Sequence, residues 1–218
     1  MLAKVQQSLA DCYLNEGMVA EAIERYEVAT GSFEKLVGTL SPLYGSAMQG
    51  LAESLAGAGR RVEAFEAVQK ALEVQASMDG IRPTPLYELL DLAEELVLGP
   101  ADSEGEESEA ASKVTPDPRL SFRFLVPAVD QALTSLSKRG LDQDANGGVV
   151  LQKAAQTLIY AADAMSGAST PMRRRGLDLL RRARELMTRA TESGEVDLSE
   201  LCSAADLQLE LLQARMET

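Results

Sequence analysis

The chain of 218 residues has no histidine, no tryptophan and only two cysteines, and few of its residues are aromatic. Each shortage removes a class of chemistry. Without histidine there is no imidazole base to activate a serine or cysteine. A zinc site would have to be built from carboxylates and two thiols, Cys12 and Cys202, that lie far apart in sequence. A disulfide framework is not expected either, and the pair of thiols suits a reducing intracellular compartment, the cytoplasm first and an organelle interior second. No apolar run reaches the roughly 18 residues that a membrane-spanning helix needs. No signal or transit pattern opens the sequence. No glycine-rich phosphate loop and no nucleophile paired with a base can be found, so neither an enzyme nor a cofactor is expected.

The net charge is −13 and unevenly spread. Residues 1–118 carry 21 acidic against 8 basic side chains, while residues 119–218 carry 13 of each. An acidic first half argues against nucleic acid as the main ligand and against an anionic membrane. It favours a protein partner with a basic segment, or serves solubility alone.

The main positive signal is an internal repeat. Residues 9–29, LADCYLNEGMVAEAIERYEVA, return at 51–71 as LAESLAGAGRRVEAFEAVQKA, with Leu9, Ala10, Gly17, Glu21, Ala22, Glu24 and Ala29 each reappearing 42 residues later. A fixed period of this size means stacked copies of one supersecondary unit. Each copy reads as two helices. Small residues, Ala10, Ala22 and Ala29, sit where helices must approach closely. Gly17 and Gly59 follow the first helix of each copy, where a left-handed residue is wanted. The order Leu-Ala, Tyr, Gly, Glu-Ala, Tyr or Phe, and Ala resembles the tetratricopeptide (TPR) repeat, and the 42-residue spacing is similar to the elongated form found in kinesin light chains. The match covers residues 3–75. The resemblance implies an all-α fold, an α-solenoid of about four helix-turn-helix units with a C-terminal capping helix, that binds protein partners without catalysis.

Along the chain, helices are expected at 2–15, 19–37, 42–56 and 61–77. Ser41-Pro42 reads as a cap followed by proline at the first helical position, and Thr84-Pro85 and Thr170-Pro171 repeat that signal. Ala93, 41 residues after Ala52, places 1–98 as two units and the first helix of a third. Residues 99–118 are acidic and proline-punctuated and read as a flexible insertion. Residues 119–218 form degenerate units closed by the capping helix, with helices at about 128–139, 149–166, 171–191 and 197–216. LSFRFLV before them is either extended or an early turn kinked at Pro127.

Several stretches are candidates for binding. In a solenoid of this kind the first helix of each unit lines an inner groove. Asp11, Glu53 and Glu94 follow the small contact residue in successive units and are expected to form a ladder of carboxylates, joined by Lys4, Gln7, Ser8, Asn15, Ser46 and Gln49. Such a ladder suits an arginine-bearing or otherwise basic peptide; the plain alternative is a solvated helix face. The clamp by which chaperone-binding TPR proteins hold a C-terminal carboxylate needs Lys and Asn where this chain has Gln7, Asp11 and Gly50, so it is not expected here. Residues 102–109 resemble, in placement, the acidic segment that splits a repeat in TPR histone chaperones. The helix at 171–191 bears Arg173, Arg174, Arg175, Arg181, Arg182 and Arg184, a possible second docking face or a solvated one. Asp142, Asp144 and Asn146 begin an EF-hand-like pattern, but Lys153 stands where calcium needs its bidentate acid. An Asp/Asn/Gly turn is the simpler reading, and no metal is expected. The function expected is an interaction scaffold, a subunit of a larger assembly, with an adaptor or chaperone for a basic client as the alternative.

Overall fold

A computed structural model of the chain describes residues 1–77, 83–98, 121–137, 145–192 and 199–217, and every regular element among them is helical. The chain is all-α, with consecutive helices packed against one another as in an α-solenoid. It divides into two compact units, Met1–Leu96 and Val97–Thr218. The acidic stretch 99–118 lies outside the described residues.

Unit one holds α1 (Leu2–Asn15), α2 (Val19–Val37), α3 (Pro42–Gly57), α4 (Arg61–Ser77) and most of α5 (Pro83–Leu98). The pairs α1–α2 and α3–α4 are hairpins, and α2 packs on α3. Both hairpins turn in the same way. Gly17 adopts φ +74° and donates its N–H to the Leu14 carbonyl, while Met18 donates to Tyr13 at 2.9 Å. Forty-two residues on, Gly59 adopts φ +73° and donates to Ala56, while Arg60 donates to Leu55 at 2.9 Å. These bonds satisfy the last helical carbonyls in the Schellman arrangement, which needs a left-handed residue that glycine adopts without strain.

The repeated alanines are the contact points. Ala10, Ala22, Ala29, Ala52 and Ala64 are fully buried, and Ala71 is nearly so. Larger side chains, Ile23, Tyr26, Phe33, Phe65, Val68 and Leu72, fill the space between the axes. The tightest approach involves Tyr26 of α2. Its ring lies against the backbone of α3 at Gly50, where an added Cβ would stand 2.5 Å from the ring's Cε1. The hydroxyl continues past Gly50 and donates a hydrogen bond to Asp11 Oδ1 of α1. One side chain therefore ties three helices. Gly45 plays a similar part against α4, since a Cβ there would meet Val74 Cγ1 at 2.8 Å.

Helix starts follow the proline signals to within two residues. Ser41 Oγ accepts a hydrogen bond from the Leu43 N–H, as expected. At the other two sites the helix begins earlier than the sequence suggests. Helix α5 starts at Pro83, so Thr84 is inside the first turn, and the helix after residue 169 starts at Thr170, with Ser169 before it. Proline is equally acceptable at each of these places, because no N–H of the first turn has an intrahelical partner.

In unit two, the first described element after α5 is a π-helical turn, Ser121–Leu125, that runs into α6 (Val126–Ser137). Residues 121–126 of the LSFRFLV stretch are thus helical rather than extended. Its wide turn buries Phe124 and Leu125, and Pro127 is tolerated in the first turn of α6. Helices α7 (Ala145–Ser166), α8 (Thr170–Glu192) and α9 (Ser199–Glu217) follow. Helices α7 and α8 form a hairpin, with α6 packed on α7 and α9 on α8. Small residues again set the spacing: Ala154, Ala155, Ala161, Ala162, Ala183 and Ala190 are buried, and a Cβ added at Gly176 would stand 3.4 Å from the Ala162 carbonyl oxygen.

Gly50 offers a sharp test, because two effects oppose each other there. Helix propensity alone favours Gly50→Ala by about 1 kcal/mol. The ring of Tyr26 cannot retreat while its hydroxyl holds Asp11, so overpacking should dominate and destabilise the protein by roughly 1–3 kcal/mol. Thermal melts should show Gly50→Ala lowering Tm in the native background and raising it in a Tyr26→Leu background. A higher Tm for Gly50→Ala alone would show that the ring yields.

Candidate partner-binding surface

The surface made by successive first helices of unit one is built on a bond that repeats with the sequence. Gln7 Nε2 of α1 donates to Ser46 Oγ of α3 at 3.1 Å. Gln49 Nε2 of α3 donates to Glu88 Oε2 of α5 at 3.1 Å. Gln7 and Gln49 are 42 residues apart, and so are Ser46 and Glu88. The same donor thus reaches the same position on the next helix twice. The third helix therefore keeps the 42-residue register rather than the 41 inferred from Ala93.

This register moves the third carboxylate of the ladder. Counting 42 from Asp11 gives Glu53 and then Glu95, and all three are exposed. Glu94 instead falls at the place of Ala10 and Ala52 and is only 6% exposed. It fills the small-residue contact position, where a helix–helix approach encloses it, so it does not line an open groove. The shorter period came from Ala93, a small residue 41 positions after Ala52, whereas Thr84-Pro85, 43 residues after Ser41-Pro42, would start the helix two residues later than Pro83. With the correct register the rows open to solvent are Lys4, Ser46 and Glu88; the half-buried Gln7 and Gln49 with exposed Asp91; and Asp11, Glu53 and Glu95. Ser8 and Asn15 are exposed at the α1 end of the same helix.

The middle of this surface is an electrostatically crowded cluster. Gln49 Nε2 donates to Glu53 Oε1 at 3.2 Å as well as to Glu88, so a single amide holds two carboxylates from adjacent helices. Although Glu53 keeps surface open to solvent, partial burial of its carboxyl raises its pKa above the ordinary range. The Gln49 hydrogen bond opposes this rise, and the negative charges of Glu88 and Asp11 add to it. Burial also pushes the Tyr26 hydroxyl well up, helped by its bond to Asp11 and by the charges of Asp11 and Glu53. The hydroxyl therefore stays protonated and is a fixed donor to Asp11. Sequence reasoning missed Glu88 and Tyr26 as parts of this surface. A strict 42-residue count would have found Glu88, but only packing places Tyr26 there.

The arginines of α8 are largely engaged within unit two. Arg182 pairs with Asp130 of α6, and Arg184 with Asp206 of α9 at 3.4 Å. Arg173 donates to the Ala168 carbonyl at 2.9 Å and to the Arg215 carbonyl, near the end of α9, at 2.6 Å. A cation there also complements the negative end of the helix dipole. Arg175 stands 4.7 Å over the ring of Phe122, and Arg181 pairs with Asp178 one turn before it at 3.4 Å. Arg174 is exposed. An open groove between α8 and α9 is lined by Arg181, Arg184, Glu185, Asp206 and Glu210, charges of both signs. The arginine face is thus chiefly a set of internal ties.

The EF-hand-like pattern is not a calcium loop. Asp142 and Asp144 lie outside the described residues, but α7 begins at Ala145, so residues 145–153 are helical where a calcium loop would be irregular. Gly147 and Gly148 are buried within the first turn of that helix rather than marking a break, and Lys153 is buried. Among the described residues no group of three or more potential ligands could hold a metal ion. Cys12 and Cys202 are both free thiols. Among the described residues, no helix is long and apolar enough to cross a membrane.

The raised pKa of Glu53 carries a pH dependence with a definite sign. A carboxyl whose pKa is higher folded than unfolded favours folding while protonated, and that contribution is lost as pH rises through the folded value. Glu53→Gln imitates the protonated form. Its Tm should exceed that of the native protein near pH 7, and the gap should close below the unfolded carboxyl value of about 4.3. Thermal melts across this range test it; a destabilised variant at pH 7 would show that ionised Glu53 is favourably paired.

No protein-family model matches the chain, and no curated protein sequence matches it. Among solved structures it is similar to a crystal structure from Podospora anserina, described as kinesin light chain nearly identical TPR-like repeats, at 18% identity and a TM-score of 0.34. That similarity covers 86% of this chain and 95% of the other.

Proposed function

We propose that the protein is a non-enzymatic interaction scaffold whose first unit binds a basic segment of a protein partner across α1, α3 and α5. The observation that carries this reading is the cluster at Gln49. Glu53 and Glu88 share one amide, Asp11 lies close enough to raise the same carboxyl, and Glu95 and Asp91 extend the acidic rows. Mutual repulsion there is relieved by a cation. A guanidinium would take two carboxylate oxygens at once, through charge-assisted bonds stronger than neutral ones. The surface also sits on helices whose spacing is set by buried alanines and by Tyr26, so the carboxylates are held in place before a ligand arrives, which lowers the cost of binding. A scaffold of this kind suits a place within a larger assembly.

A fluorescent hexa-arginine peptide, with a hexa-glutamate peptide as control, tests the surface directly. The native chain should bind the first and not the second, more weakly as salt rises, because exposed charges are screened over about 8–10 Å at physiological ionic strength. Changing Asp11 to Asn and Glu53 and Glu95 to Gln should weaken binding more than about tenfold, or 1.4 kcal/mol. The triple variant should stay folded, with a Tm at or above native near pH 7, because the amide oxygen introduced at position 11 can still accept from the Tyr26 hydroxyl and Glu53→Gln relieves the raised carboxyl. Glu94→Gln should alter stability instead of binding. Unchanged affinity in the triple variant would move the binding face elsewhere.

A further inference from the structure

Helix α3 is bonded to α1 through Gln7 and Ser46 and to α5 through Gln49 and Glu88, so Glu53 is the middle carboxylate of its row. Gln49 Nε2 stands 3.2 Å from Glu53 Oε1 and 3.1 Å from Glu88 Oε2, which puts the two carboxylates within two hydrogen-bond lengths of each other. The groups that face Glu53 come from four helices. Asp11 of α1 and Glu88 of α5 add negative charge from either side, and Gln49 on α3 itself gives a neutral donor. Tyr26 of α2 brings a hydroxyl that stays protonated and is committed to Asp11. Glu95 of α5 stands next in the row, while Lys4 of α1 belongs to the row of Glu88. Among the described residues, no group of α4 and no cation acts on the Glu53 carboxyl.

Burial and like charge both favour the neutral acid at this position, so Glu53 takes up a proton before ordinary carboxylates do. The proton removes one of the charges that would hold a guanidinium. It also relieves the repulsion from Asp11 and Glu88, which is the relief that a bound cation would otherwise supply. Proton and cation therefore compete for one role at one carboxylate. We propose that binding of a basic segment to this surface is proton-gated: a proton on Glu53 and a guanidinium of the segment exclude each other, so the segment binds with release of that proton to solvent and is let go in acid. The gate rests on the reading of α1, α3 and α5 as the binding face. Coupling of this kind is reciprocal, since a ligand that favours the ionised carboxylate must lower its proton affinity by the same factor. The ionised form favours binding. Affinity is therefore full above the folded value of this carboxyl and is lost as pH falls through it, while ordinary glutamates, titrating near about 4.3, still carry charge.

Isothermal titration calorimetry of the full chain with the hexa-arginine peptide, in buffers of different ionisation enthalpy, counts the protons released. At about neutral pH binding should release almost none. As pH falls toward the carboxylate range, release should rise toward about one proton, and affinity should drop by up to about tenfold per pH unit below the folded value of Glu53. Glu53→Gln should bind more weakly than native at neutral pH and lose both the release and the slope. Carboxyl-detected NMR on the free chain follows Glu53 directly. Its midpoint should lie above those of exposed glutamates and fall in Glu88→Gln and in Asp11→Asn, a response that a purely structural tie through Gln49 would not give. No binding of the peptide at any pH would remove the binding face and the gate with it. Binding without proton release, release undiminished in Glu53→Gln, or a Glu53 midpoint among the ordinary glutamates would overturn the gate and leave the binding face standing.

Discussion

Close approach between helix axes is the constraint on which the rest of unit one depends. Helices can stack at a regular interval only where their contact residues are small, and this chain supplies alanine at those points and glycine at the two tightest, Gly45 and Gly50. Tyr26 converts one of these approaches into a tie across three helices. The glycine makes room for the ring, the ring fills the interval, and the hydroxyl satisfies a carboxylate on the far helix. Without the short spacing at Gly50, the hydroxyl would not reach Asp11.

That spacing also determines the electrostatics. Three first helices brought side by side place the charges of Glu88 and Asp11 near enough to Glu53 to help raise its pKa. The chain responds with neutral donors rather than cations: Gln49 to two carboxylates, Tyr26 to a third. A neutral amide orients carboxylates without cancelling their charge, so the surface stays negative and ordered. Unit two solves its packing differently. Its arginines are paired with Asp130, Asp178 and Asp206 or seated on a helix end and an aromatic ring, so charge there is spent within the fold.

The difference between Glu94 and Glu95 shows how a one-residue error in register acts. On a helix of 3.6 residues per turn, adjacent residues point about 100° apart, so a slip of one exchanges a buried contact for an exposed site. Ala93 looked like the heir of Ala52 because small residues mark contacts. Yet the register is set by several contacts at once, and the Gln49–Glu88 bond repeats Gln7–Ser46 at 42 residues. A carboxylate occupies the small-residue position at Glu94, which local sequence preference would not suggest.

The sequence by itself determined the elements of unit one and their turns. The 42-residue repeat, the alanines and the paired glycines encode local geometry, and local geometry is specified by residues near one another in the chain. The helix over 121–125, the start of α7 at Ala145 and the helix starts two residues before Pro85 and one before Pro171 depended on packing, because proline and glycine in a first helical turn are compatible with several starting points. Tertiary structure alone decided which acids share a surface, that Tyr26 reaches Asp11, that Glu94 and Lys153 are buried, and that Arg182 and Arg184 of α8 pair with α6 and α9. These are contacts between residues far apart in sequence, and they exist only once the helix axes have taken their spacing.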